Sequence, residues 1–268
     1  MYLIDYHTHT QVSDDAEFPL SAMADAAVLA GISELCVTDH YDLLDLDGAP
    51  IETPYDWAPA VAQWEEEARH FQGRLTIRLG LEFGSAAFDQ ELSRRTLEHP
   101  AIDFVIGSIH NLTPEAGGTD FYFVDYKTPD ICYACLDDYF ANMLRLAPLP
   151  YYDVLGHIIY PLRYMNLRCG HNISLERYQD QLREILRLAA QNGRGMEINT
   201  YDGRTVSDWR PVLELFREVG GELVTVGSDA HTPQGVGKGV QAAYQLLSDV
   251  GFRYVTLYEK RQPQPIKL

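Results

Sequence analysis

The sequence predicts an α/β protein of one domain, with short parallel strands closed or nearly closed into a barrel. Three observations carry that expectation. Apolar, β-branched runs short enough to be buried parallel strands recur at 2–6, 35–38, 75–81, 104–109, 152–155, 195–198, 223–226 and 254–257. Amphipathic stretches separate them, so strand and helix alternate about seven times. Nearly every run is followed at once by a side chain capable of chemistry: His7, Asp39, Glu82, His110, His157, Asn199 and Asp229. In a parallel barrel the carboxyl ends of all strands open on one face, where such side chains converge; an open, doubly wound sheet brings fewer of them to one point.

At 268 residues and 46% hydrophobic content the chain suffices for such a barrel, which commonly takes about 250 residues. No Pro/Gly/Ser linker, low-complexity tract or internal repeat divides it, so residues 1–268 read as one domain. The opening Met1-Tyr2-Leu3-Ile4-Asp5 enters the first strand without a basic segment and apolar stretch of the kind that directs export. There is also no run of about 18 apolar residues. A soluble, cytoplasmic protein with no membrane span is expected.

Leu20, Met23, Ala24, Ala27 and Val28 repeat at helical spacing until Gly31 stops the helix, and Leu182, Ile185, Leu186 and Ala189 do the same before Asn192-Gly193. Segments 43–57 and 111–127 are longer than ordinary connections, and each follows a candidate ligand, as loops that shape substrate access do. Phe121, Tyr122, Phe123 and Tyr126 in the second either wall the site or only pin their own loop. Thr128-Pro129-Asp130 opens a helix carrying Cys132 and Cys135. With Cys36 and Cys169 these are too irregular for a disulfide framework and fit a reducing compartment; the C-x-x-C reads as two half-buried helix residues.

A formal charge of −18 and only four lysines, Lys127, Lys238, Lys260 and Lys267, exclude the basic stripe that long nucleic acids require. A small phosphate ester is compatible, because bound cations outweigh a distant acidic surface.

Six of the nine histidines sit at strand ends, several beside carboxylates. His7 and His9 are two residues apart, so both point to one side and can grip one ion. Asp14 and Asp15 follow in the next loop, and His40 closes Thr38-Asp39-His40. Glu82 has two oxygens with which to bridge ions, His110 and His157 end later strands, and Asp229-x-His231 repeats the two-residue spacing. Imidazoles and carboxylates from several strand ends are the ligand set of a multinuclear site for Zn, Fe or Mn. His70, His99 and His171 fall in helix or loop contexts and are expected to pack or face solvent.

These motifs, in this order, resemble the PHP (polymerase and histidinol phosphatase) superfamily through nearly the whole chain. Asp5-Tyr6-His7-Thr8-His9-Thr10 with Ser13-Asp14-Asp15-Ala16 resembles the first motif, and Thr38-Asp39-His40 the second. Gly107-Ser108-Ile109-His110 and Gly156-His157 resemble the middle ones, and Gly227-Ser228-Asp229-Ala230-His231 the last. The aromatic loop after His110, and Arg163-Tyr164 after Gly156-His157, are most similar to the histidinol-phosphatase branch.

That resemblance implies a distorted (β/α)7 TIM-like barrel with two or three divalent transition metals. Carried over residue by residue, it places His7, His9, Glu82 and Asp229 around one ion, Asp15, His40 and His231 around a second, and Glu82, His110 and His157 around a third. Asp14 stays open beside Asp15, since this loop reads Asp-Asp-Ala where many relatives have Asp-Gly. Ile158-Ile159-Tyr160-Pro161 stands where related phosphatases usually carry an acidic residue. The implied activity is a phosphomonoesterase cleaving L-histidinol phosphate through metal-activated hydroxide.

Glu82, Asp229, His231 and Arg163 are the residues expected to carry the reaction. Arg163 is the candidate phosphate clamp, since a guanidinium binds two phosphate oxygens at once, and Arg204 is a second candidate substrate contact. Glu197 is a candidate for orienting a ligand. Two alternatives stay open: a phosphoesterase acting on nucleotides or another small ester, and a non-catalytic metal-binding barrel. The sequence leaves the oligomeric state open.

Overall fold

Strands apolar on both faces have to be covered on both sides, and the computed structural model, which describes all 268 residues, covers them by rolling the sheet up inside a ring of helices. In chain order the elements are β1 (Ile4–Thr8), α1 (Leu20–Leu29), β2 (Glu34–Val37), β3 (His40–Asp42), α2 (Trp57–His70), β4 (Thr76–Gly84), α3 (Gln90–Thr96) and β5 (Phe104–Ser108). Then follow α4 (Pro129–Leu146), β6 (Val154–Leu155), α5 (Tyr160–Leu162), α6 (Gln179–Gln191), β7 (Gly195–Asn199), α7 (Arg210–Glu218), β8 (Val224–Gly227), α8 (Val240–Val250), β9 (Tyr254–Glu259) and β10 (Gln262–Lys267). A π-helical turn, Arg163–Arg168, continues α5.

The parallel sheet runs β1-β2-β4-β5-β6-β7-β8, with β3 prolonging β2 after a break at Thr38-Asp39. Because β3 and β5 still flank β4 there, β4 extends past the expected residue 81, and Glu82 lies inside the ladder, paired with His40 and Ile106.

The barrel closes where β8 returns to β1. The Asp229 N–H donates to the His7 carbonyl and the His9 N–H to the Ala230 carbonyl, each at 2.9 Å. The buried Asp5 carboxylate staples the same seam, accepting the Ser228 N–H at 2.8 Å, the Ser228 hydroxyl at 2.6 Å and the Gly237 N–H at 2.8 Å. A Cβ on Gly227 would lie 2.3 Å from the His7 Cβ, so only glycine allows the strands this close.

The run at 254–257 is not an eighth barrel strand. With β8 already bonded to β1 no sheet edge remains, and β9 pairs antiparallel with β10 instead. This hairpin caps the amino ends of the strands: the Tyr258 N–H donates to the Tyr6 hydroxyl, the Lys260 N–H to Asp103, and the Arg261 guanidinium to Asp153. Cys132 and Cys135 are more buried than expected, on the inner face of α4, and all four cysteines are free. No helix is long and apolar enough to cross a membrane.

Candidate metal centre

The break between β2 and β3 lets the chain deliver His40 and Asp42 to the same end of the barrel as Glu82 on β4. At the centre of that end the Glu82 carboxylate, fully buried, faces five imidazoles. Its Oε2 lies 3.0 Å from His7 Nε2, 3.5 Å from His9 Nε2 and 3.0 Å from His40 Nδ1. Its Oε1 lies 3.1 Å from His110 Nε2 and 2.6 Å from His157 Nε2, and accepts the Ser108 hydroxyl at 2.7 Å.

Asp229 divides its oxygens in the same way. Oδ1 faces His7 at 3.5 Å and His9 at 3.4 Å, while Oδ2 accepts Arg163 at 2.9 Å and the Asn199 amide at 3.0 Å. Its backbone is left-handed, φ 60°, a conformation Asp tolerates better than most residues and one that recurs at functional sites. Asp15 on the loop after β1 closes the outer side, 3.1 Å from His231 Nε2 and 3.6 Å from His40 Nε2. Asp14 points to solvent and touches none of these groups, so the loop brings Asp15, not Asp14, to the cluster.

Burial disfavours charge on every member, yet the carboxylates and imidazoles overturn that for one another. Burial raises Glu82 and Asp229, but the surrounding imidazoles, and Arg163 for Asp229, hold both well below the usual carboxylate range. Burial lowers His7, His40 and His110, but Glu197 and Glu82 for His7, Glu82 and Asp15 for His40, and Asp42 and Glu82 for His110 lift them well above the ordinary imidazole value. His9 goes the other way, lowered by burial and by His40 and His231, whose ring centroids lie 4.2 and 4.1 Å from its own.

A second layer of side chains aims these rings. Glu197 on β7 receives His7 Nδ1 at 2.8 Å, and Asp42 receives His110 Nδ1 at 3.0 Å. Ser13 lies 3.3 Å from His9 Nδ1, and its hydroxyl donates to Asp39 at 2.8 Å while accepting the His40 N–H. A Cβ on Gly84 would overlap Asp42, so the glycine makes the room in which Asp42 turns to His110. Asp42 and Ser13 are contributors that sequence reasoning missed; the only signal for Asp42 was its two-residue spacing from His40. His157 Nδ1 is buried with no partner, in keeping with the absence of an acidic residue after Gly156-His157.

Arg163 is buried and fixed on all sides. It donates to Asp229 and to Asn199 Oδ1, and its guanidinium stacks on Tyr160 at 5.0 Å and Tyr201 at 4.2 Å. Arg204 is not brought to the cluster: its side chain is 61% exposed, pairs with Asp202 at 3.6 Å and leans on Tyr201. His70, His99 and His171 also lie apart, His99 stacked on Trp57 and His171 bonded to the Tyr126 carbonyl. In the 111–127 loop Phe121 and Tyr126 are buried, while Tyr122 and Phe123 are exposed.

The donor set suits divalent ions. Four trios of side chains, His7-His9-Glu82, His9-His40-His231, His40-Asp42-His110 and Glu82-His110-His157, each have ligand atoms within 4.8 Å of one another. His9 Nε2 and His40 Nδ1 are buried and form no well-aligned hydrogen bond, although carboxylate oxygens of Glu82 and Asp229 lie 3.0 to 3.5 Å from them. Such nitrogens gain from a cation.

A family described as PHP domain matches residues 5–201. Similar curated proteins include a probable histidinol-phosphatase of Deinococcus radiodurans, 30% identical, the match covering 98% of this chain and 99% of that protein. The histidinol-phosphatase of Lactococcus lactis is 27% identical over 96% of this chain and 95% of its own. A solved structure of histidinol phosphate phosphatase from Lactococcus lactis, complexed with zinc, L-histidinol and phosphate, superposes with a TM-score of 0.82 at 25% identity, covering 98% of both chains. With a family match over most of its length and a relative of this similarity along nearly all of it, the chain belongs to the PHP domain family.

Proposed function

We propose that this chain is a metal-dependent phosphomonoesterase that hydrolyses L-histidinol phosphate to histidinol and phosphate, using two or three Zn, Fe or Mn ions. The observation that carries the reading is the partition of histidines by Glu82: three imidazoles face one oxygen and two the other. A carboxylate so placed is built to bridge ions. His7, His9, Glu82 and Asp229 would hold one ion, Asp15, His40 and His231 a second, and Glu82, His110 and His157 a third. Divalent ions supply Lewis acidity there, offsetting phosphoryl charge and making water a competent nucleophile near neutral pH.

The protein's own part is to orient. Arg163 spends two N–H groups on Asp229 and Asn199, leaving others of the roughly five a guanidinium offers for phosphoryl oxygens. The stacking rings of Tyr160 and Tyr201 keep it from swinging away. Glu197 holds His7 through Nδ1, so that with an ion bound Nε2 would face inward as its ligand. Glu197→Gln is therefore expected to weaken metal retention by about 10- to 100-fold, the usual cost of losing such an outer partner. Competition against a chromophoric chelator measures it, and unchanged retention would remove Glu197 from this role.

Phosphate release from L-histidinol phosphate, nucleoside monophosphates and a dinucleotide tests the activity. Release is expected from histidinol phosphate foremost, abolished by chelation and restored by Zn, Mn or Fe. Faster turnover of the nucleotides, or activity indifferent to chelation, would overturn the reading.

A further inference from the structure

Resting on that reading, we propose that Asn199 is a positioning residue for the reaction, holding Arg163 and Asp229 in one fixed orientation toward the phosphoryl group of the substrate. Asn199 ends β7 and is fully buried. Its Oδ1 accepts the Arg163 guanidinium at 3.1 Å, and its Nδ2 donates to Asp229 Oδ2 at 3.0 Å. The same Asp229 oxygen accepts Arg163 at 2.9 Å. Three side chains thus close a ring of hydrogen bonds in which each meets the other two.

The ring decides what each partner has left over. With Oδ2 taken by two donors, Asp229 turns Oδ1 to His7 and His9, at 3.5 and 3.4 Å. With both terminal nitrogens of Arg163 tied, one to Asp229 and one to Asn199, the planar guanidinium cannot turn, and its unspent N–H groups keep one direction. Only a short amide closes such a ring. Arginine donates and a carboxylate accepts, so the residue joining them needs an acceptor and a donor together. Aspartate has no donor for Asp229, and alanine offers neither group.

Asn199 also builds the platform on which Arg163 rests. Its Oδ1 takes a second donor, the Tyr201 N–H at 3.1 Å, and so bends the chain into a turn two residues on. There Tyr201 adopts a φ of 45°, uncommon for a bulky side chain and of the kind that gathers at functional sites. The turn sets the Tyr201 ring 4.2 Å from the guanidinium carbon. One side chain therefore ties the edge of the guanidinium and places the ring that covers its face. The Asn199 backbone is anchored independently, its carbonyl accepting the Thr205 hydroxyl at 3.0 Å and the Trp209 indole N–H at 2.7 Å. Removing the side chain thus leaves the strand end in place.

Steady-state kinetics on L-histidinol phosphate, in a double-mutant cycle of Asn199→Ala and Arg163→Ala at equal metal content, tests the assignment. Asn199→Ala is expected to lower kcat/KM by about 10- to 100-fold, what a hydrogen bond to a charged group is worth, and to weaken competitive inhibition by inorganic phosphate. In the Arg163→Ala background the same change should cost only a few-fold, the part that acts through Asp229 alone. A residue that merely supported the fold would cost the same in both. Asn199→Asp keeps the shape, the acceptor for Arg163 and the turn at Tyr201, and removes the donor to Asp229; it is expected to lose about 10-fold or more in kcat/KM. Equal costs in the two backgrounds, or an Asn199→Asp enzyme with wild-type kcat/KM, would overturn the assignment and leave the phosphatase reading intact. A metal-loaded wild type inert toward L-histidinol phosphate would overturn that reading, and this assignment with it.

Discussion

Glu82→Gln is expected to lower phosphate release by about 1000-fold or more, since divalent ions held by Glu82 would be worth several kcal/mol to the transition state and each 1.36 kcal/mol is tenfold in rate. Glutamine fills the same volume, so the packing of β4 is kept and the loss is one of charge. One of its two terminal atoms becomes an N–H donor, which faces imidazole nitrogens instead of bridging between the His7-His9-His40 side and the His110-His157 side. Metal content should fall together with rate. Phosphate release combined with elemental analysis of the purified variant checks both, and a variant with full activity and full occupancy would remove Glu82 from the bridging position.

Asp5→Ala is expected to be the most destabilising single change outside the imidazole cluster. Asp5 is fully buried and accepts two backbone N–H groups and one hydroxyl across the seam that closes the barrel. Burial raises its own carboxyl pKa, opposed by those same donors, so the ionised group is not a gain in itself. The cost of truncation comes from the donors left without a partner, at roughly 1–3 kcal/mol each, or about 3–5 kcal/mol in all. In a chain of this size that corresponds to a fall in Tm of about 10 °C. Because Ser228 adjoins Asp229, metal retention should weaken as well. Thermal unfolding of both proteins at equal metal content checks this, and a Tm within about 2 °C of wild type would show that the seam does not depend on the staple.

Much of this architecture was legible in the sequence. Apolar runs a few residues long located all seven barrel strand positions, because a strand buried on both faces has no polar phase to confuse it. Histidines and carboxylates immediately after those runs located the cluster, because parallel strands all end on one face. What was not legible depends on contacts between distant segments. Asp42 meets His110 across 68 residues, and neither residue's neighbours announce the pair. Asp15 and Asp14 are chemically identical, and only the path of the loop, fixed where Ser13 meets Asp39, selects one of them. Arg204 shares its neighbour Tyr201 with Arg163, but the turn at Tyr201-Asp202, with φ of 45° and 56°, leads it outward. The strand Gln262–Lys267 carries two prolines, which argue against a strand unless it lies at an edge, and that is where β10 lies. The run at 254–257 has the composition of a barrel strand, yet the closing of β8 on β1 excludes it.

Metal stoichiometry per chain after dialysis against Zn, Mn or Fe, with the ions located by anomalous scattering, tests most directly whether residues from six strand ends act as one cation-binding centre. Two or three ions per chain, grouped around Glu82 and Asp229, are expected. A protein that takes up none of the three metals, or binds them only at sites remote from Glu82, would contradict the account.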